Sequence, residues 1–340
     1  MADLILPPWA RVSSQRLTHS SSTGSNESIF TSAVRTTNRV GDRVRFGLST
    51  RNASERESGP TRALLSSLAG ELRGQSNRLY FTDPSYRKRG SFPTFELLAN
   101  SEWASGTTSW TTSSANIVLT ANDRILRSKR ASVSGDETIR AAVATTVSGA
   151  TYIARAMALA GRGPMDFRLR LGTSAGGTEL AADSTDNTAQ GLRTLVAAAT
   201  GTTTHFSIVD GITGRSIGHY MDFAYVSLSR CALVSGASQT GGGIVIDQLP
   251  ASTNGLARQS DWCQIGNQLC KITAALDSDS SGVGFLQLAY PPRVTPADNA
   301  PVIFHQPMGR FAAMSPEHAR EDSPGGFSNF ELEICEDLSA

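Results

Sequence analysis

From Arg43 to Leu48, the apolar residues Val44, Phe46 and Leu48 alternate with Arg43, Arg45 and Gly47, which in an extended chain puts an apolar face opposite a charged one. The pattern predicts a half-buried strand. An extended run, Ser28 to Thr37, precedes it across the turn-forming residues Asn38 to Asp42, and the two together predict an N-terminal hairpin. Ser13 to Ser28 has a different texture: it is rich in Ser, Thr and Gly, with Leu17 as its sole aliphatic residue, and reads as an extended arm or long loop. Such arms gain order against a neighbouring chain. Between Pro60 and Gly74, Leu64, Leu65, Leu68 and Leu72 share one helical face, which predicts a single short helix over 61–73. Leu79 to Thr82 returns as a strand before the turn at Asp83-Pro84.

From Phe95 onward the period changes. Trp103 and Trp110 are followed by short Thr, Ser, Ala and Val runs at roughly ten-residue intervals, the spacing of a β-sandwich. After Gly241-Gly242-Gly243 it changes again, into hairpins: Trp262 to Ile265 against Gln268 to Thr273 about the turn Gly266-Asn267, then Leu276 and Phe285 to Tyr290 about an Asp/Ser/Gly turn. A compact barrel-like unit is expected there. The fold class is therefore all-β: a split β-barrel/sandwich domain with one short helix, plus an inserted jelly-roll β-sandwich.

Composition narrows the function classes. A chain of 340 residues exceeds one ordinary core, and 31 glycines with 7% aromatics suit many short strands. Apolar stretches such as Ile244 to Ile246 and Val196 to Ala199 are far shorter than a bilayer-spanning helix, and Met1 to Ala10 has neither a basic nor an apolar signal region, so no membrane insertion and no export are expected. The net charge of +1 argues against a dedicated nucleic-acid binder. Its distribution is uneven: residues 1–94 hold 14 Lys+Arg against 7 Asp+Glu, 95–240 hold 12 against 11, and 241–340 hold 5 against 12. Ends of opposite charge attract if they share a domain or meet across a subunit contact.

The order ELLANSEW (96–103), Trp110, SGATYIARAMALAG (148–161), MDFRLRLG (165–172) and MDFAYVSLSRC (221–231) resembles the jelly-roll carbohydrate-binding modules. The flanks, FTSAVRTTNRVGDRVRFGL (30–48), the helix with LRG (72–74), and GGGIVIDQLPASTNGLARQSDWCQIGNQLCKIT (241–273), resemble the distal tail proteins of tailed phages. The resemblance implies a discontinuous tail-ring domain, 1–94 with 238–340, and an autonomous insert, 95–237. It also implies a structural virion protein of the tail tip, assembled in the host cytoplasm as a ring, a hexamer in that family. Its partners are then further copies of itself, the tail tube protein and the baseplate hub protein, with host cell-surface polysaccharide as a further contact of the insert. The alternative is a stand-alone receptor-binding or glycan-binding tail fibre protein; a carbohydrate-active enzyme is the third reading. Within the insert, Trp103 and Trp110 are the candidate sugar-stacking residues, with core or rim packing as the competing role for each.

Other chemistry is thin. Gly172-Thr173-Ser174-Ala175-Gly176 satisfies the nucleophile-elbow pattern, but the residues after it lack the supporting helix, so a structural turn is expected. Asp277, Asp279, Ser281 and Gly282 imitate a calcium loop whose twelfth position is Leu288, not a glutamate; a capped hairpin turn fits better. Glu331, Glu333, Glu336 and Asp337 read as a solvated acidic end, and the five histidines are scattered. No catalytic residue, metal site or cofactor is expected. Cys231, Cys263, Cys270 and Cys335 match no zinc pattern. Cys263 and Cys270 fall opposite each other across the Gly266-Asn267 turn at a hydrogen-bonded position, within reach of a disulfide, while reduced thiols are the expected state.

Overall fold

In the computed structural model the described residues are 3–7, 14–20, 24–27, 34–37, 43–53, 77–82, 89–93, 96–122, 124–132, 137–162, 167–183, 191–210, 216–314, 319–323 and 327–337. Among them every regular element is a strand. The helix expected over 61–73 lies outside the described residues.

The N-terminal part supplies β1 (Asp3–Ile5), β2 (Ser14–Ser20), β3 (Gly24–Glu27), β4 (Val34–Thr37), β5 (Arg43–Ala53) and β6 (Arg78–Phe81). The period-two segment forms β5, but its hairpin partner is not the one expected. β5 pairs with β2 from Ser14↔Ser49 to Ser20↔Arg43, and the residues before Asn38 pair with β3 instead. Within the Ser/Thr-rich stretch, Ser14–Ser20 and Gly24–Glu27 are thus strand and not a free arm. Thr and Ser alternation costs a β-edge little, because strand preference is set by the neighbouring surface more than by the residue itself.

The middle of the chain supplies β7 (Trp110–Thr112), β8 (Ile117–Asn122), β9 (Ile125–Arg130), β10 (Glu137–Ala141), β11 (Ala144–Thr145), β12 (Thr151–Arg162), β13 (Phe167–Gly172), β14 (Ala181–Ala182), β15 (Gly191–Ala198), β16 (Thr203–Asp210) and β17 (Tyr220–Arg230). They form two antiparallel sheets, ordered β14-β13-β16-β10-β7 with β11 on β16, and β15-β12-β17-β9-β8. The sheets stack as a jelly-roll-type β-sandwich. Its core holds Ile139, Phe167, Leu169, Phe206 and Ile208 from the first sheet and Tyr152, Ala154, Ala156, Phe223 and Leu228 from the second. Phe167 and Phe223 meet edge to face across it, centroids 5.3 Å apart.

Next come β18 (Ala232–Val234), β19 (Gly243–Asp247), β20 (Trp262–Ile265), β21 (Gln268–Lys271), β22 (Gly284–Gln287) and β23 (Pro301–Ile303), in the order β21-β20-β23-β18-β19-β22. The outer strands meet: Ile272 bridges Leu288, and the Ala289 N–H donates to the Lys271 carbonyl at 2.8 Å. The sheet is therefore rolled into a small barrel around Val234, Ile246, Ile265, Leu286 and Phe304. β18 belongs to this barrel through β19 and β23, so the chain leaves the sandwich at Cys231, six residues before the expected boundary at 237.

Last come β24 (Gly309–Ala313), β25 (Ala319–Ser323) and β26 (Phe327–Glu336). They complete a seven-stranded sheet ordered β1-β6-β24-β26-β5-β2, with β25 on β26. Both chain ends build it.

One core lies where the three units meet. Leu4, Ile5, Leu79, Phe81, Phe311 and Ile334 of the mixed-end sheet pack with Met157, Leu159, Ala224 and Tyr225 of the sandwich and Trp262 and Leu269 of the barrel. Ala224 is an extra residue in β17 between the pairs Met157↔Tyr225 and Ala158↔Phe223, so Ala224 and Tyr225 both lie on this side, where the alternation of β12 also puts Met157 and Leu159. β1 comes close against the sandwich edge at Gly191, where φ is 133° and a Cβ would sit 2.8 Å from the Asp3 carbonyl oxygen. The sandwich is consequently not self-contained, because the central strands of one sheet, β12 and β17, are covered on both faces.

Candidate functional site

Trp103 and Trp110 are 2% and 5% exposed, and their rings pack on each other at 5.8 Å, with Trp110 edge-on to Phe206 at 6.3 Å. Asn100 builds the loop that carries them. Its side-chain amide donates to the carbonyls of Gly106 and Thr108, its side-chain oxygen accepts from the Ser105 N–H, and its own carbonyl accepts from the Trp110 indole at 3.2 Å. Both tryptophans plug one end of the sandwich. A stacking platform needs an exposed ring face, so the assignment of Trp103 and Trp110 to sugar contact is corrected: their role here is core packing.

The sandwich has two outer faces, and one is covered by the shared core. On the other, the register sets Arg140 and Arg170 on either side of Ser207 in one cross-strand row, and Thr138 and Arg168 on either side of Val209 in the next. Alternation with the buried Ile139, Leu169, Phe206 and Ile208 turns these residues outward. The three arginines are half-buried, and Ser207 beneath them is 1% exposed with no partner for its hydroxyl among the described residues. Neither Arg140 nor Arg170 has an ion pair among the described residues, and the buried Arg140 Nε has no acceptor. Nothing in the sequence marked them, since arginines alternating with apolar residues are the ordinary signature of a solvated strand face.

The loop after β13 borders this face. Gly176 lies against Arg140, and Glu179 ties the turn by accepting from the Ser174 hydroxyl at 2.8 Å and the Thr173 N–H at 3.1 Å. Hydrogen bonds from its own backbone N–H, then from Ser174, hold the Glu179 carboxyl below the usual range. Ser174 is thus a turn residue whose hydroxyl is spent on tying the turn to Glu179, with no helix after it among the described residues. The Asp277–Gly282 segment is likewise a capped turn: Asp279 accepts from the N–H groups of Ser281 and Val283, and Asp277 from that of Gly255 at 2.6 Å. Among the described residues no cluster of His, Cys, Asp and Glu is arranged to hold a metal ion.

At the seam between sandwich and barrel, Glu96 accepts from the N–H groups of Leu228 and Leu98 and faces His305 at 3.7 Å. Arg155, 2% exposed, reaches Ser227 at 3.4 Å and the His305 carbonyl at 3.3 Å, so polar groups stitch the units together beside the apolar contact. The cysteines are free. Cys263 and Cys270 are paired across the hairpin inside the barrel core, and burial pushes Cys270, like Cys231, up to about 12 and Cys263 well above its usual value. A cleft of about 290 Å³ opens between the Gly266-Asn267 turn and Val294 to Ala297, with Asp337 at its edge; that carboxylate is already engaged by Arg78 and Arg310.

No family model and no curated protein matches the chain. Among solved structures it is similar to one described as "CBM4 structure and function", at 12% identity and a TM-score of 0.31, covering 39% of this chain and 99% of that one. It is also similar to the adhesin domain of Epf from Streptococcus pyogenes, at 8% identity and a TM-score of 0.32, covering 58% and 87%. Likenesses this weak leave the function to be argued from the chain's own geometry.

Proposed function

We propose that the chain is a structural, non-enzymatic virion protein of a phage tail tip, forming a ring between the tail tube and the baseplate hub and carrying the sandwich as a module for contact with host-surface glycans. The observation that supports this reading is the seven-stranded sheet built from both chain ends, β1, β2, β5 and β6 with β24, β25 and β26, with the sandwich inserted between them. That is the split arrangement that the flank motifs around 30–48 and 241–273 imply. At the edge of this sheet away from the sandwich, β2 also offers backbone groups for strand-to-strand contact between neighbouring copies. Head-to-tail contacts of this kind close into rings when the rotation per subunit divides the circle.

Negative-stain electron microscopy of the purified chain tests the reading. Closed rings with sandwich-sized projections on their rim are expected. Monomeric particles at micromolar concentration contradict the ring and favour a stand-alone glycan-binding protein.

A further inference from the structure

We infer that the outward face of the β10-β16-β13 strands is a binding site for the carboxylate groups of an acidic polysaccharide, held by Arg140 and Arg170. The inference deepens the reading of the sandwich as a glycan-contacting module and rests on it.

Three other arginines of the sandwich meet carboxylates: Arg127 holds Asp222 through two bonds of 2.7 Å, Arg193 meets Asp183 at 3.0 Å, and Arg130 lies 3.7 Å from Asp210. Arg140 and Arg170 flank Ser207 without a carboxylate among the described residues. A half-buried guanidinium loses part of its hydration, and a charge so placed is stabilised most by an anion that accepts two parallel N–H bonds. The two residues stand on strands either side of β16, so their Cα atoms are about 10 Å apart, two strand spacings. A chain laid across the strands presents successive charges to both in turn, over a floor formed by the buried Thr138, Ser207 and Val209. Nucleic acid fits this face less well. Single strands need aromatic platforms, and the outward positions of these three strands hold no Trp, Tyr or Phe.

The test is isothermal titration of the full chain with oligogalacturonate, a polymer carrying one carboxylate per residue, with neutral dextran and a thymidine oligonucleotide as comparisons. Oligogalacturonate is expected to bind and to weaken with added salt, dextran not to bind, and the R140Q/R170Q variant to bind about tenfold more weakly or worse, with an unchanged near-ultraviolet dichroism spectrum. R258Q, which removes a charge from an exposed barrel loop, is expected to leave binding intact. Should the double variant fail to fold, R170Q alone carries the test, since Arg170, unlike Arg140, has no buried nitrogen lacking a partner. Absence of oligogalacturonate binding at millimolar concentration, equal binding by the folded variants, or tighter binding of the oligonucleotide overturns the inference. Micrographs of the same sample separate the two claims: rings without oligogalacturonate binding overturn this inference alone, and binding without rings overturns the tail-ring reading alone.

Discussion

Arg78 and Asp337 lie 259 positions apart in the chain and meet at 2.5 Å between Nε and Oδ2, with side chains 15% and 12% exposed. Arg310, which also reaches Asp3 at 3.1 Å, sits 3.6 Å from the same Asp337 carboxylate. The basic first third and the acidic last third thus touch at a defined place, where β6, β24 and the end of β26 run side by side. Asp337→Ala leaves two largely buried guanidinium groups short of their carboxylate. It is expected to lower stability by about 2 kcal/mol, the scale of a hydrogen bond to a charged partner, read as a lower urea midpoint with an unchanged slope. A midpoint within error of the parent protein would mean that the pair adds nothing.

Trp110→Ala removes a ring wedged between Trp103 and Phe206 and leaves the Asn100 carbonyl without its indole donor. A loss of 3–5 kcal/mol is expected on the scale of buried aromatic truncation, roughly that of a large cavity. Sugar titrations should leave the fluorescence contributed by Trp103 and Trp110 unchanged, because neither presents a face to solvent. Quenching by a glycan that disappears in a folded Trp103 or Trp110 variant would restore these residues as a binding platform.

Much of this arrangement is written in local pattern, and the rest depends on what each face meets. The Gly266-Asn267 turn gave the register of β20 and β21 down to the Cys263↔Cys270 pair, since a two-residue turn fixes every pair beyond it. Val44, Phe46 and Leu48 marked β5, but period alone does not name a strand's partner, and β2 took the place assigned to the residues before Asn38. The run TYIARAMALAG carries a further signal. Tyr152, Ala154 and Ala156 line the sandwich core while Ile153, Met157 and Leu159 face the flanking units, and such a two-sided apolar run marks a strand buried on both faces. The tryptophans sit in and after a loop, where no alternation exists to tell inside from outside. Arg140 and Arg170 are visible as a face only once the register of three strands is known.

That two-sided burial has a consequence for fragments. Residues 95–237 expressed alone expose Met157, Leu159, Ala224 and Tyr225, each of the larger ones roughly 1.5–3 kcal/mol of lost burial. The fragment is expected to bind a hydrophobic dye and to aggregate on warming, and the whole chain to unfold with the sandwich and flanks coupled. A soluble fragment with sharp amide spectra and no dye binding would show that the seam is dispensable.

The thiols give a pH test. Desolvation raises Cys231 and Cys270 from an ordinary 9.0 to about 12, so between those values the unfolded chain sheds protons that the folded protein keeps. Their contribution is fully present below pH 9 and is lost as pH rises towards 12, so stability should fall across that window. At pH 8 the native protein should show one thiol accessible to dithionitrobenzoate, the partly exposed Cys335, and three more only after denaturation. Rapid reaction of all four in the native state would mean that the barrel core opens readily.

Native mass spectrometry of the full chain, recorded across micromolar concentrations, tests the structural-ring account most directly. A dominant closed species of six 36.0 kDa subunits is the expected result, and a single-subunit species at every concentration would contradict it.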